Sequence, residues 1–444
     1  MPSPEVLFAL CAGAGVLAAP GVVGALFGKK GVESGQIRTE ALWTTEMPPI
    51  APLPKLDGDR KVDLAIIGGG YTGLSCAYYA KKHRPDWSVA VLESHRLGSG
   101  ASSRNSGAVY ARYWGLADQE MPQRGFDRLA RFIEEEEIEC DFRPAPTLEL
   151  YASKRSARKA EASPEPDSKW VSAGKLRSGA GTSYYAGAAE LPIYHTVHPA
   201  KLVAGHVKAA LRMEVELCES SPVLRIRSGK PAVLETPGGS VQADQVVLAT
   251  NAYTPRLGCL KTSMVPVHQY TFATRRLSDE QISAHGLDRW PLRFERSILP
   301  VTNFLTPSGH LCIRIVLGYA SFNSCVWQDI EGARNLAKKM FEQRYPWIAD
   351  VGLEQGWHGV TGHTLRVREI TGPVMGENVH AAVGFNGLGI MPGHNTAYLS
   401  ACRITGHADQ DMRYMLGKRA QIPIPGELYR SMLLKPAMKA LTPV

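Results

Sequence analysis

Residues 61–98, KVDLAIIGGGYTGLSCAYYAKKHRPDWSVAVLESHRLG, limit the possible folds more than any other stretch of the 444. Val62 to Ile67 is a short, continuous apolar run, as expected of a parallel strand buried on both faces. It leads into Gly68-x-Gly70-x-x-Gly73. The first glycine permits a tight turn, the second lets backbone approach a pyrophosphate, and the third lets a helix pack closely on the strand. About three turns of helix follow, with Tyr71 and Thr72 in the first. The free N–H groups and positive dipole end at that helix start favour phosphate. A second strand, SVAVLE, ends at Glu93, 20 residues after Gly73 and followed by Ser94. An acidic side chain there can accept both hydroxyls of an adenosine ribose and repels a 2′-phosphate. The order of strand, fingerprint, helix, strand and acid predicts a dinucleotide site in a doubly wound α/β domain.

A second glycine- and serine-rich stretch, GSGASSRNSG at 98–107, follows almost at once. Gly98, Gly100 and Gly107 allow close approach, and Ser102, Ser103 and Ser106 supply hydroxyls. Ala101 and Asn105 complete the loop. Arg104 either offers charge-assisted bonds to phosphate or packs over a ring. Two such loops in tandem exceed what a simple nicotinamide dehydrogenase uses.

The loops, together with CDFRPAPTLEL (140–150), HTVHPAKLV (195–203), ADQVVLATNAYTPRLG (243–258) and VGFNGLGIMPGHNTAYLSACRITG (383–406), resemble the D-amino-acid oxidase superfamily of flavoproteins. The similarity is greatest in its branch of glycine oxidases, sarcosine oxidases and, above all, gamma-glutamylputrescine oxidoreductases. The resemblance spans roughly residues 60–410 by motif order. It implies non-covalently bound FAD, because the covalent flavin cysteine of sarcosine oxidases has no counterpart here. It also explains the pair of loops: the first takes the adenosine half, the second the rest of the pyrophosphate, the ribityl chain and one side of the flavin. By the same resemblance, Val223 holds adenine through its backbone, and Ala249, Thr250 and Asn251 lie beside the cofactor. Gly387, Leu388, Gly389, Ile390 and Met391 open a helix whose dipole faces the flavin pyrimidine ring.

The implied fold is α/β, a Rossmann-like FAD-binding domain with an interleaved α+β substrate domain built on a mostly antiparallel sheet. Residues 61–139, 199–261 and 357–410 fall to the first, and 140–198 and 262–356 to the second. Residues 31–60 read as a Pro-rich linker, and 411–444 as a C-terminal extension.

Substrate-facing residues are less constrained. An anionic substrate group would need a basic anchor, and Arg314 is the first candidate, an exposed strand arginine being the alternative. His268 follows VPV on a strand that reaches the active site in relatives; the alternative is a hydrogen-bonded strand histidine. Tyr110 and Arg112 lie shortly after the second loop, where sarcosine oxidases place arginines. Met391 and Leu388 replace a basic residue and a histidine of sarcosine oxidases. That departure favours a larger amine with a remote carboxylate over sarcosine. The expected reaction is FAD-dependent oxidation of a primary or secondary amine to an imine, with oxygen or a quinone as electron acceptor. Two alternatives are a membrane-anchored dehydrogenase of an amino acid that reduces quinone, and a non-oxidising FAD-containing binding or assembly protein.

Residues 6–28 carry no charge over 23 positions, enough at ~1.5 Å rise per residue to cross a bilayer core. Lys29 and Lys30 follow, which would put the rest of the chain on the cytoplasmic side of a membrane anchor. The formal net charge of +8 comes without a basic stripe interleaved with aromatics, so nucleic acid is not an expected partner. The eight cysteines are scattered with no C-x-x-C pair, which gives no zinc site and no disulfide framework.

Overall fold

The computed structural model describes residues 40–112, 120–192, 194–297, 300–320, 330–415, 417 and 421–433. The apolar stretch 6–28 lies outside them, and among the described residues no helix is long and apolar enough to cross a membrane.

The apolar run at 60–67 forms the centre of the first sheet. Strand Arg60–Ile67 pairs in parallel with Val89–Leu92 on one side and Gly239–Leu248 on the other. Glu216–Cys218 extends the sheet beyond Val89–Leu92, also in parallel. At its other flank the long strand Gly239–Leu248 forks. Its first half pairs antiparallel with Ala232–Thr236, and its last residues pair in parallel with Val379–Val383. Leu64, Ala65 and Ile66 are fully buried, as a strand covered on both faces requires. Helices Tyr71–His83, Pro199–Arg212 and Met391–Thr405 cover one face. Tyr71–His83 and Met391–Thr405 touch so closely that a Cβ on Gly393 would come within 2.9 Å of the Thr72 hydroxyl.

The second sheet has eight strands, in the order Leu353–His363, Val265–Arg276, His310–Tyr319, Thr302–Leu305, Leu292–Glu295, Thr147–Tyr151, Gly187–Leu191 and Lys169–Ser172. Every pair is antiparallel except Leu292–Glu295 with Thr147–Tyr151. One face packs under helix Ile330–Arg344, with Tyr270, Phe272 and Ile313 in that core. The other carries Ala273, Phe304, Cys312 and Trp357 and turns towards Trp43, Tyr110 and Leu388.

Two expected boundaries move. Residues 40–56 are no free linker: Ala41, Leu42, Trp43 and Leu56 are buried. The Leu53 N–H donates to Glu219, the Leu56 N–H to Ser221, and the Gln355 side chain to the Glu40 carbonyl. The prolines hold an extended strap whose polar backbone is satisfied by the body it crosses. The division at residue 357 falls inside strand Leu353–His363, which belongs to the antiparallel sheet up to His363. In the C-terminal extension, Asp411 is buried against Arg124, and Arg430 donates to the Met264 carbonyl while Leu428, Tyr429 and Met432 stay exposed.

Candidate active site

Four turns converge at the carboxyl ends of the parallel strands. In the first, Gly68 has φ +108, and a Cβ there would lie 2.8 Å from the Ala249 carbonyl oxygen. A Cβ on Gly73 would lie 1.9 Å from the Gly68 oxygen, so neither position admits a side chain. The Gly70 Cα faces the second loop: a Cβ would meet the Ser102 hydroxyl at 2.7 Å. That hydroxyl accepts the Tyr71 N–H at 3.1 Å. Glu93 closes the turn from the neighbouring strand, accepting from the Gly69 N–H at 2.8 Å, the Ser94 hydroxyl and the His95 N–H. Val223 lies two residues past Ser221, whose N–H donates to the Glu93 carbonyl.

The second loop is closed on itself. Ala101–Ser103 is a single 3-10 turn from Gly100. The Asn105 amide donates to the carbonyls of Ala101 and Ser102 and accepts the Gly107 N–H at 2.8 Å. Gly107 is left-handed at φ +70, and Ser103 and Ser106 are buried. Arg104 corrects the sequence reading. Its guanidinium turns back onto the protein, donating to the Ser99 carbonyl at 2.8 Å and to the His358 carbonyl at 3.3 Å. It ties the loop to strand Leu353–His363 instead of reaching outward for phosphate.

The third and fourth turns are joined to each other. Asn251, at φ +40, accepts the Gly384 N–H through its side chain, and Thr250 bonds Thr254. Gly384 and Gly387 are both left-handed, and Asn386 between them bonds Gly384 and Thr364. Leu388, Gly389 and Ile390 lead into helix Met391–Thr405.

These turns meet the requirements of a long dinucleotide. The helices starting at Tyr71 and Met391 receive no side-chain bond from their own N-cap residues, Gly70 and Ile390, whereas those starting at Lys154, Ala173, Pro199 and Asp279 are capped by Ser153, Ser172, His198 and Ser278. Two helix N-termini therefore reach the junction of the turns without a side chain of their own N-cap residue over them, the first with its Tyr71 N–H held by Ser102 of the second loop.

On the substrate side, Arg314 lies on the sheet face turned towards Tyr110 and Leu388, paired with Thr271 and Thr302. It is buried, and among the described residues its guanidinium donates from Nη2 to the Thr302 hydroxyl at 2.9 Å. Its Nε has no partner, and among the described residues no carboxylate pairs with it. Burial lowers its pKa from the ordinary arginine range to about 10, a fall that nearby Tyr110 opposes. Tyr110 packs beside Tyr194. Arg112 is already engaged, 2.6 Å from Glu165 in a half-buried ion pair.

His268 does not join this group. It pairs with Val360, and its ring lies against those of Tyr270 and His358, on the face opposite Arg314. Alternation puts the next residue, Gln269, on the Arg314 face instead. Gln269 donates to the Thr361 hydroxyl at 2.8 Å, which bonds His363 Nε2 at 2.9 Å. A Cβ on Gly387 would come within 3.0 Å of the Gln269 amide, so this polar row abuts the fourth turn. Burial pushes His363 down to about 4, and the Arg314 charge adds to the fall, so its imidazole is neutral at pH 7. Sequence reasoning missed Gln269, Thr361 and His363; the alternation of the 265–276 strand was the available signal.

Residues 63–403 match the family model described as DAO, FAD dependent oxidoreductase. The chain is 28% identical over 426 residues to the "Probable oxidoreductase OrdL" of Rhizobium meliloti, covering 88% of this chain and 94% of that protein. It is 25% identical over 403 residues to gamma-glutamylputrescine oxidoreductase of Escherichia coli, covering 84% and 90%. Among solved structures it is similar to glycine oxidase from Geobacillus kaustophilus, at a TM-score of 0.67 and 21% identity, covering 81% of this chain and 99% of that one.

Proposed function

Given that the chain belongs to the DAO family of FAD-dependent oxidoreductases, we propose that it oxidises the C–N bond of an amine that also carries a carboxylate. The imine product would then hydrolyse. The observation that carries the carboxylate is Arg314, a buried guanidinium that, among the described residues, has one hydroxyl partner and no protein anion. A buried charge is costly unless paired, so an anionic ligand group is its natural complement. The similarity to proteins named gamma-glutamylputrescine oxidoreductase and glycine oxidase supports the amine class, because both named substrates contain an amine and a carboxylate.

Gly68, Gly70, Tyr71, Thr72 and Gly73 would hold the pyrophosphate at the open helix start, with Glu93 on the adenosine ribose and the Val223 backbone at adenine. Ser94, the 100–107 loop, Ala249, Thr250, Asn251 and the 387–391 turn would enclose the remainder of the non-covalently held cofactor. Bound FAD supplies the acceptor for the hydride that leaves the carbon next to nitrogen. Arg314 orients the substrate through its carboxylate, and its positive charge favours the neutral amine over the ammonium. Gln269, Thr361 and neutral His363 offer hydrogen bonds without adding charge. Tyr110 and Leu388 exclude water beside Arg314.

Anaerobic mixing of the purified yellow protein with a panel of amines, with and without carboxylates, tests this reading. Carboxylated amines should bleach the flavin fastest. A flavin that dithionite reduces but no amine does would overturn it and favour a non-oxidising role. Peroxide yield against quinone reduction then identifies the electron acceptor.

A further inference from the structure

We propose that Trp43 and Trp357 are positioning residues that clamp two consecutive carbonyls of the second loop and so aim its backbone at the cofactor. The inference rests on the reading that residues 98–107 help to hold FAD. Trp357, on strand Leu353–His363, donates its indole N–H to the Arg104 carbonyl at 3.1 Å. Trp43, in the short helix Leu42–Thr45 of the N-terminal strap, donates to the Asn105 carbonyl at 2.8 Å. Both rings are buried, at 0% and 2% exposure. Trp43 is itself wedged, stacked on Phe304 and edge-on to His198.

An indole N–H can only donate, so each tryptophan fixes the direction of one carbonyl. In a planar trans peptide the carbonyl and the following N–H point opposite ways. Holding the Arg104 and Asn105 carbonyls towards the tryptophans therefore turns the Asn105 and Ser106 N–H groups away from them. Among the described residues neither N–H has a protein acceptor. Two adjacent backbone donors without partners are what a cofactor oxygen or nitrogen requires. The Arg104 side chain strengthens the clamp, because its bond to the His358 carbonyl binds the loop to the strand that carries Trp357. The strap that begins the described chain is thus part of the cofactor site, although it lies outside the nucleotide-binding unit in sequence.

The test uses the full-length protein, stripped of flavin and titrated with FAD, in the variants Trp43→Phe, Trp357→Phe and both together. Phenylalanine keeps an aromatic ring and removes the donor. Each single variant should weaken FAD binding about five-fold, the effect of one neutral hydrogen bond, and the double variant should weaken it further. Thermal unfolding of each apoprotein separates positioning from simple support, since a purely structural role lowers the melting temperature and leaves the FAD dissociation constant unchanged. Ser102→Ala serves as the control for the loop. If it weakens FAD binding and neither tryptophan variant does, the clamp is overturned and the cofactor reading stands. If none of the three changes FAD binding, the cofactor reading of the loop fails. Should Trp357→Phe not fold, Trp43→Phe, outside both sheets, decides the matter alone.

Discussion

Replacing Arg314 with methionine should move stability and activity in opposite directions. Burial brings this guanidinium from the ordinary arginine value of 12.5 to about 10. At ~1.4 kcal/mol per tenfold change in acidity, holding it charged costs about 3 kcal/mol at every pH below 10. Methionine removes that cost and forfeits one hydrogen bond, from Nη2 to Thr302, worth about 1 kcal/mol. The apoprotein should therefore gain about 2 kcal/mol. For 444 residues at ~2 cal/mol/K of unfolding entropy each, Tm rises by only about 2 °C, so denaturant titration is the better assay.

The same change removes the only proposed partner of the substrate carboxylate. Truncating one side of a buried charged pair costs about 2–5 kcal/mol, which predicts a fall of about 30- to 5000-fold in kcat/KM for a carboxylated amine. An amine of similar shape without the carboxylate should lose little. In the unaltered protein, kcat/KM for the carboxylated amine should decline as pH rises through about 10, where the free protein's guanidinium loses its proton, and Arg314→Met should abolish that limb. The reasoning is refuted if the variant is less stable and loses the same factor on both amines, because Arg314 would then be a structural arginine.

Two other outcomes are expected. Burial lowers the pKa of His206, His358, His363, His380 and His394, so the folded protein keeps them neutral. Their stabilisation is fully present above the unfolded value of 6.5 and is lost as pH falls towards 4, at ~1.4 kcal/mol per histidine per pH unit. Unfolding free energies of the apoprotein at pH 7.5, 6.5 and 5.5 should fall by several kcal/mol across the last step; equal values at all three would refute this account. Residues 6–28, if they form the expected anchor, should carry the full-length chain into the membrane fraction through an alkaline carbonate wash, and a chain starting at residue 40 should stay in the supernatant. Equal partitioning of the two would dispose of the anchor.

The glycine turns on which the cofactor reading rests were legible because their requirements are local. A glycine at 68, 70 or 73 is demanded by backbone or a hydroxyl a few ångströms away, and the fingerprint spacing records that demand in six consecutive residues. The substrate half depends on which face of a strand a residue occupies, and there a one-residue error reverses the answer. His268 and Gln269 are neighbours in sequence, yet one lies with Tyr270 and His358 and the other reaches Thr361 beside the Gly387 turn. The more chemically conspicuous residue lies on the face opposite Arg314. Arg314 was recognisable as a strand arginine, but its lack of a counter-ion among the described residues is a property of three strands and could be seen only once Thr271 and Thr302 flanked it. The strap was missed for a related reason: prolines and missing periodicity describe a chain without its own secondary structure, and they are silent on whether another surface satisfies its backbone. Trp43 meets Asn105 across 62 residues. Such a contact has no local signature beyond a large apolar side chain in a polar stretch. That side chain was the available clue, since exposing a tryptophan in a free linker forgoes the burial of one of the largest apolar surfaces a residue can offer.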